Sequence, residues 1–194
     1  MLDALIELQR LKGLNRTGWA LRGLPADIES VAAHSFGVAI VTMLLADRLM
    51  SSGVKLDVTR MLRMALLHDW AEARIGDMPR TGTQYFGSEA RRRSETEAFN
   101  DLIAGAGDQQ ELYRELFEDY EQRNSLEARL VKAADIIDLL VQVLALERAG
   151  YRGLDEFWTV AQKPDFNLDG ASNEAVFEIV NQILSVRADL KTRG

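Results

Sequence analysis

Apolar positions recur at three- and four-residue intervals along almost the whole chain, and no alternating run long enough for a strand interrupts them. That pattern predicts an all-α protein. Leu2, Leu5, Ile6 and Leu8 form an i, i+3, i+4 stripe for a first helix over 2–12. A connection over 13–28 follows, carrying Asn15, Arg16, Thr17, Gly18, Trp19 and Pro25. A second helix is expected over 29–50, stopped by Ser51, Ser52 and Gly53. Asp57 is a good N-cap for a third over 58–74. Its Met61, Leu62, Met64, Ala65, Leu66 and Leu67 are apolar nearly all round, so this helix should be central and buried. Gly76, Pro79, Gly82 and Gly87 mark 76–87 as a mobile loop. Helices over 88–105, 109–122 and 125–149 come next, then a short one near 153–162 and a terminal one near 173–190. No repeat and no low-complexity linker divides the chain, which predicts one compact multi-helix domain over 1–194.

Composition narrows the function classes. A chain of 194 residues, 47% apolar, can bury a core without staples. Its 23 Lys and Arg against 30 Asp and Glu leave a net charge of −7, which argues against a nucleic-acid polymer or an anionic membrane as partner. The absence of cysteine excludes a disulfide framework, a zinc ribbon and a thiol nucleophile. Asp3 and Glu7 stand where a signal peptide would be basic. The longest stretch free of Asp, Glu, Lys and Arg, 30–46, contains His34 and is shorter than the ~20 residues that span a bilayer. A cytoplasmic protein is the expectation.

Both histidines of the chain sit in apolar surroundings. His34 lies in the first turns of the second helix, and His68 and Asp69 close the buried run of the third. Asp135 is set among Ala133, Ala134, Ile136 and Ile137. An ionised aspartate there is costly unless it is paired or bound to a metal. A lone buried histidine is more often a hydrogen-bonded core residue, and a buried aspartate can cap a helix or pair with an arginine. All four together, on three apolar helices, point instead to a nitrogen and oxygen site for a divalent ion. Such donors suit six-coordinate Mn²⁺, Co²⁺, Fe²⁺ or Ni²⁺ better than tetrahedral Zn²⁺, or Mg²⁺ with its preference for oxygen.

Glu72 follows His68 by four residues and Asp69 by three, so a continuing helix puts it on the same face. There it can act on a metal-bound water without being a ligand. Asp77, after Gly76, sits where the chain can turn back over the site. Arg16 and Trp19 offer a planar fork for phosphate oxygens and a flat apolar wall. Blander roles are a surface pairing of Glu72 with Arg74 or Arg16, a turn role for Asp77 and a loop anchor for Trp19. Arg91, Arg92 and Arg93, followed by Glu95 and Glu97, read as a solvated helix face with i, i+4 pairs. Trp70 and Trp158 read as core.

The order His34, His68-Asp69, Asp135 resembles the metal signature of the HD superfamily of metal-dependent phosphohydrolases. Arg16-Thr17-Gly18-Trp19, His34-Ser35, the run from His68-Asp69-Trp70-Ala71-Glu72 to Gly76-Asp77, and Lys132-Ala133-Ala134-Asp135 resemble its 5′-deoxynucleotidase branch, over about 5–150. The resemblance implies an HD-domain fold that includes 153–190, one divalent transition metal ion and ligation by His34, His68, Asp69 and Asp135. It implies Glu72 and Asp77 as catalytic residues, Arg16 on the 5′-phosphate and Trp19 against the sugar, disfavouring a 2′-hydroxyl. A small-molecule substrate, a 5′-(deoxy)nucleoside monophosphate, and a homodimer follow from the same source. Ala33 stands where relatives commonly carry an acidic residue.

Two other readings stay open. Another HD phosphohydrolase would take a nucleotide pyrophosphate or phosphodiester. Ala73 after Glu72 departs from the adjacent acids that alarmone hydrolases resemble, and no histidine remains for a second metal. A non-catalytic helical module that retains a metal for stability would require neither Glu72 nor Asp77.

Overall fold

A computed structural model describes every residue except 26, 163–165 and 194, with only the backbone of Arg80, Gln162 and Arg193. Among the described residues there is no named strand, and a lone antiparallel bridge joins Asn15 to Ser30. The all-α expectation holds. The chain packs as two units, Met1–Phe36 with Leu66–Glu118, and Gly37–Ala65 with Asp119–Gly194.

The first unit contains α1 (Leu2–Leu8), α2 (Arg10–Gly13), α3 (Thr17–Ala20) and the start of α4 (Val31–Ser51). It continues with the end of α5 (Val58–Leu67), then α6 (Glu72–Ile75), α7 (Arg80–Phe86), α8 (Ser88–Ile103) and most of α9 (Gln110–Gln122). Leu11, Val31, Ala73 and Leu102 are buried together, with Leu8, Leu14, Ala32 and Trp70 packed against them. Trp70 stacks near Phe99, whose ring lies 4.0 Å from that of Phe117. Arg74 ties α6 to α1 and α8 through Glu7 and Asp101.

Three expectations need correction here. The first helix breaks at Gln9, and Leu2, Leu5 and Ile6 stay exposed instead of facing the core. The third helix stops at Leu67, because the amides of Trp70, Glu72 and Ala73 bond to carbonyls three residues back and tighten the winding. Within that helix Met61, Met64, Ala65 and Leu67 are buried as expected, but Leu66 is exposed. The loop expected over 76–87 contains α7. Gly76 and Gly87 take positive φ on either side of it, and Pro79 stands at its N-cap, so these breakers bound the helix.

The second unit contains the rest of α4 and most of α5, the end of α9, and α10 (Leu126–Arg148). A 3₁₀ turn over Asp155–Trp158 leads into α11 (Thr159–Gln162), and α12 (Gly170–Arg193) follows. Ser125 caps α10 by accepting the Ala128 N–H at 3.0 Å. Asp119 accepts from Ser125 Oγ at 2.7 Å and from Arg60 at 2.6 Å. Against the ordinary penalty of burial, these partners hold the Asp119 carboxyl below its usual range.

Arg187 of α12 grips Glu147 of α10 in a two-pronged contact, both prongs at 3.0 Å. Glu147 also accepts from the Trp158 indole at 3.1 Å, and the Arg187 guanidinium lies 4.2 Å from the centre of that ring. Trp158 is thus core, as expected. Gly37 has a steric purpose: a Cβ there would lie 2.1 Å from Asp138 Oδ1, so a side chain is excluded where α10 passes α4.

The 21 residues of α4 are mostly apolar, and Phe36, Ile40, Met43 and Leu44 remain exposed along it. By length and composition alone this helix reaches the size of a membrane span, which the shorter charge-free stretch within it did not.

Candidate metal centre and active site

Four segments of the first unit deliver the chemistry. The bridge between Asn15 and Ser30 clasps the ends of the segment that carries Arg16 and Trp19, with Val31 N–H bonding Leu14 O and Arg16 N–H bonding Glu29 O. The first turn of α4 supplies His34. The tightened turn after α5 supplies His68 and Asp69, and α6 opens on Glu72. Asp77 follows where the backbone leaves α6 through Gly76.

His34 and His68 are buried, with ring centres 5.4 Å apart and planes at 69°. Both rings turn Nε2 toward one carboxylate oxygen. His68 Nε2 lies 3.2 Å from Asp69 Oδ2, and His34 Nε2 lies 3.8 Å from the same atom. A ligating nitrogen of each histidine lies within 4.8 Å of one on the other. Arg16 Nη1 donates to Asp69 Oδ2 at 3.2 Å. Burial works to raise the Asp69 carboxyl, but the imidazoles of His68 and His34 and the Arg16 guanidinium outweigh it. The group stays ionised well below the usual carboxylate range.

Two buried imidazoles and a fixed, partly buried carboxylate, converging on one point, are donors a divalent ion accepts. The arrangement fits a metal of this class.

Glu72 is buried, with 6% of its surface exposed, and its Oε2 has no hydrogen-bond partner. Burial pushes its carboxyl well above the ordinary value, and the charges of Asp69 and Asp77 reinforce the shift against Arg16 and Arg91. A solvated surface role is therefore excluded for Glu72. The physical route differs from a continuous helix, since Glu72 comes in on the restarted α6.

Asp77 is engaged twice by Thr17. Its carboxylate accepts the Thr17 N–H, and its backbone carbonyl accepts the Thr17 hydroxyl at 2.8 Å. Trp19 is 2% exposed, and its indole N–H donates to Glu29 at 2.6 Å. The structure thus brings Arg16, Trp19, His34, His68, Asp69, Glu72 and Asp77 into one unit. Asp135 belongs to the second unit, on α10, where its Oδ2 accepts from Lys132 Nζ at 2.7 Å and from Tyr120 at 3.0 Å.

Thr17, Glu29 and Arg91 were not singled out from the sequence for this region. Arg91 and Arg93 make the expected i, i+4 pairs with Glu95 and Glu97, at 2.7 and 3.9 Å. Arg91 in addition acts electrostatically on Glu72, which a solvated face would not do. The acid Glu29, placed just before α4 and ten residues after Trp19, was the legible hint for an indole partner.

The profile of the HD domain matches residues 8–164. The chain is 32% identical over 157 residues to the 5′-deoxynucleotidase hdd1 of Schizosaccharomyces pombe, covering 77% of this chain and 75% of that protein. It is 32% identical over 149 residues to the 5′-deoxynucleotidase HDDC2 of Homo sapiens, covering 76% of this chain and 68% of that one. Among solved structures, a conserved hypothetical protein from Pyrococcus furiosus superposes with a TM-score of 0.80 at 33% identity, over 95% of this chain and 99% of that one.

Proposed function

The chain belongs to the HD domain family, and on that footing we propose that it is a metal-dependent phosphomonoesterase that converts 5′-deoxynucleoside monophosphates to nucleoside and phosphate. The observation that carries this reading is the convergence of His34 and His68 on Asp69, with the buried Glu72 carboxylate, one oxygen of it without a hydrogen-bond partner, beside it. The activity itself is that of the relatives hdd1 and HDDC2.

His34, His68 and Asp69 would hold the ion, and Asp135 joins them by its place in the family motif. A mixed nitrogen and oxygen donor set favours Mn²⁺, Co²⁺, Fe²⁺ or Ni²⁺. When bound, such an ion polarises a phosphoryl oxygen and makes water acidic enough to attack at neutral pH.

The residues around it have separate tasks. Glu72 holds the attacking water and takes its proton at a carboxylate oxygen. Asp77, fixed by Thr17, orients the same water. Arg16, steadied by Asp69, meets the 5′-phosphate with its planar fork. Trp19 is anchored by Glu29 and, by its place in the family motif, backs the sugar, where an apolar wall disfavours a 2′-hydroxyl by roughly 10² at most. A cytoplasmic homodimer completes the reading.

Released phosphate, measured across a panel of deoxy- and ribonucleoside monophosphates on metal-stripped protein with and without added Co²⁺ or Mn²⁺, tests the assignment. Metal-dependent release from the deoxynucleotides is expected. No release from any monophosphate at any metal would end it.

A further inference from the structure

The helix α1 is amphipathic the wrong way round. Its Leu2, Leu5 and Ile6 face water and none of its residues is fully buried, yet the carboxylate of Glu7 turns inward, with 18% of its side chain exposed. The outward stripe contributes nothing to holding α1 in place, whereas Glu7 is engaged at both oxygens. Its Oε1 accepts from Arg10 Nη1 at 3.0 Å, and its Oε2 accepts from Arg74 Nε at 3.2 Å and from Arg74 Nη2 at 2.9 Å. The same Arg10 nitrogen donates to the backbone carbonyl of Ala73 at 3.3 Å, and Arg74 Nη1 reaches Asp101 of α8 at 3.3 Å.

These contacts fall on the two residues that follow Glu72. The helix α6 that carries it has four residues and no side-chain cap, and so short a helix does not hold itself. It is fixed from outside, partly by Ala73 packed with Leu11, Val31 and Leu102, and partly by the charged clasp. Isolated exposed ion pairs contribute little. Here one enclosed carboxylate serves two arginines and three N–H donors, and charge-assisted bonds of this kind fix direction as well as distance.

We propose that Glu7 is a positioning residue: through Ala73 and Arg74 it sets how the Glu72 carboxylate is presented to the metal centre. The inference rests on the role given to Glu72 in the reading above. A displacement of about 1 Å at a reacting group can cost ~10² in rate, so a clasp on the next two residues of the backbone bears on turnover without touching substrate.

Glu7→Gln, Arg74→Met and the double variant, each as the full chain loaded with Mn²⁺, test this on dAMP. Leu5→Ala, on the exposed face of the same helix, is the control. In the first three, kcat should fall by roughly 10- to 100-fold, while KM, Mn²⁺ uptake by calorimetry and helical circular dichroism match wild type. The double variant should lose no more than the worse single one, since both cut the same link. Leu5→Ala should turn over as wild type does. Unchanged kcat, additive losses, a loss of Mn²⁺ uptake alongside kcat, or an equal fall in Leu5→Ala would each overturn the proposal. Amide hydrogen exchange at 73–76 needs no turnover and should quicken roughly tenfold in Glu7→Gln and Arg74→Met; exchange at the wild-type rate would overturn the clasp. A wild type that releases no phosphate while this exchange quickens counts against the phosphatase reading and leaves the clasp standing.

Discussion

Glu72→Gln should make the metal-free protein more stable while it disables the enzyme. In the folded chain the Glu72 carboxyl is buried, has one oxygen without a partner and faces the charges of Asp69 and Asp77. Its proton affinity is raised above the ordinary value of 4.5. A group raised in this way contributes full stability below its unfolded value, and loses that contribution as pH climbs through the folded one. At pH 7.5 the folded state therefore bears a cost that glutamine, which cannot ionise, does not.

Glutamine also presents two N–H donors to a neighbourhood rich in carboxylate. Relief of an unsatisfied buried polar group is worth ~1–3 kcal/mol, and for a chain of this length each kcal/mol moves Tm by ~2–4 °C. The variant should therefore melt roughly 2–12 °C above wild type at pH 7.5 in the presence of EDTA. The gap should close toward pH 4, where both chains are neutral at this position. With Mn²⁺ restored, the variant should still take up metal while turnover falls by ~10²–10⁴. A variant that melts with or below wild type at pH 7.5, or a gap that ignores pH, would refute the reasoning from burial and charge.

Three further outcomes follow from the packing. Asp69→Ala should lose Mn²⁺ uptake by calorimetry, and with it the ~2.7 kcal/mol of stabilisation that a ligand at a hundred times its Kd confers; uptake at wild-type affinity would remove Asp69 from the ligand set. Arg187→Met should cost ~3–5 kcal/mol in chemical denaturation because it strands Glu147, and the double variant with Glu147→Leu should regain most of it; a cost confined to a few tenths would make the clasp decorative. Gly37→Ala should cost at least ~1–3 kcal/mol by overpacking against Asp138, and wild-type stability would mean that α4 and α10 yield there.

The helical class was legible because apolar spacing at three and four residues needs no tertiary information. His34, His68, Asp69 and Asp135 drew attention as candidates for a related reason: charge and imidazole inside apolar helices have few inexpensive explanations. The break at Leu67 was not legible, since nothing in Leu67-His68-Asp69-Trp70 disfavours a helix, and it is tertiary placement that tightens the turn. Breakers at 76, 79 and 87 read as a loop because propensity cannot tell the end of a helix from its absence. The stripe at Leu2, Leu5 and Ile6 misled because period reports that one face is apolar and says nothing of what covers it. Glu29 under Trp19, and Thr17 on Asp77, are side-chain pairings across a folded loop, which no spacing rule encodes.

The double engagement of Thr17 with Asp77 bears on any attempt to redirect the substrate preference. Arg16 and Trp19 sit in what looks like a tolerant connection, the first place a directed-evolution library would be aimed. Yet Thr17, next to Arg16, is bolted through its amide and its hydroxyl to the segment that leaves α6. The segment over 15–18 and the one over 76–77 therefore form one mechanical part. Randomising the first alone would release Asp77 as a side effect, and most clones would be scored as dead for reasons unrelated to the sugar they were meant to admit. Libraries that keep Thr17, or vary it jointly with 76–79, are the ones in which a change of specificity could be seen.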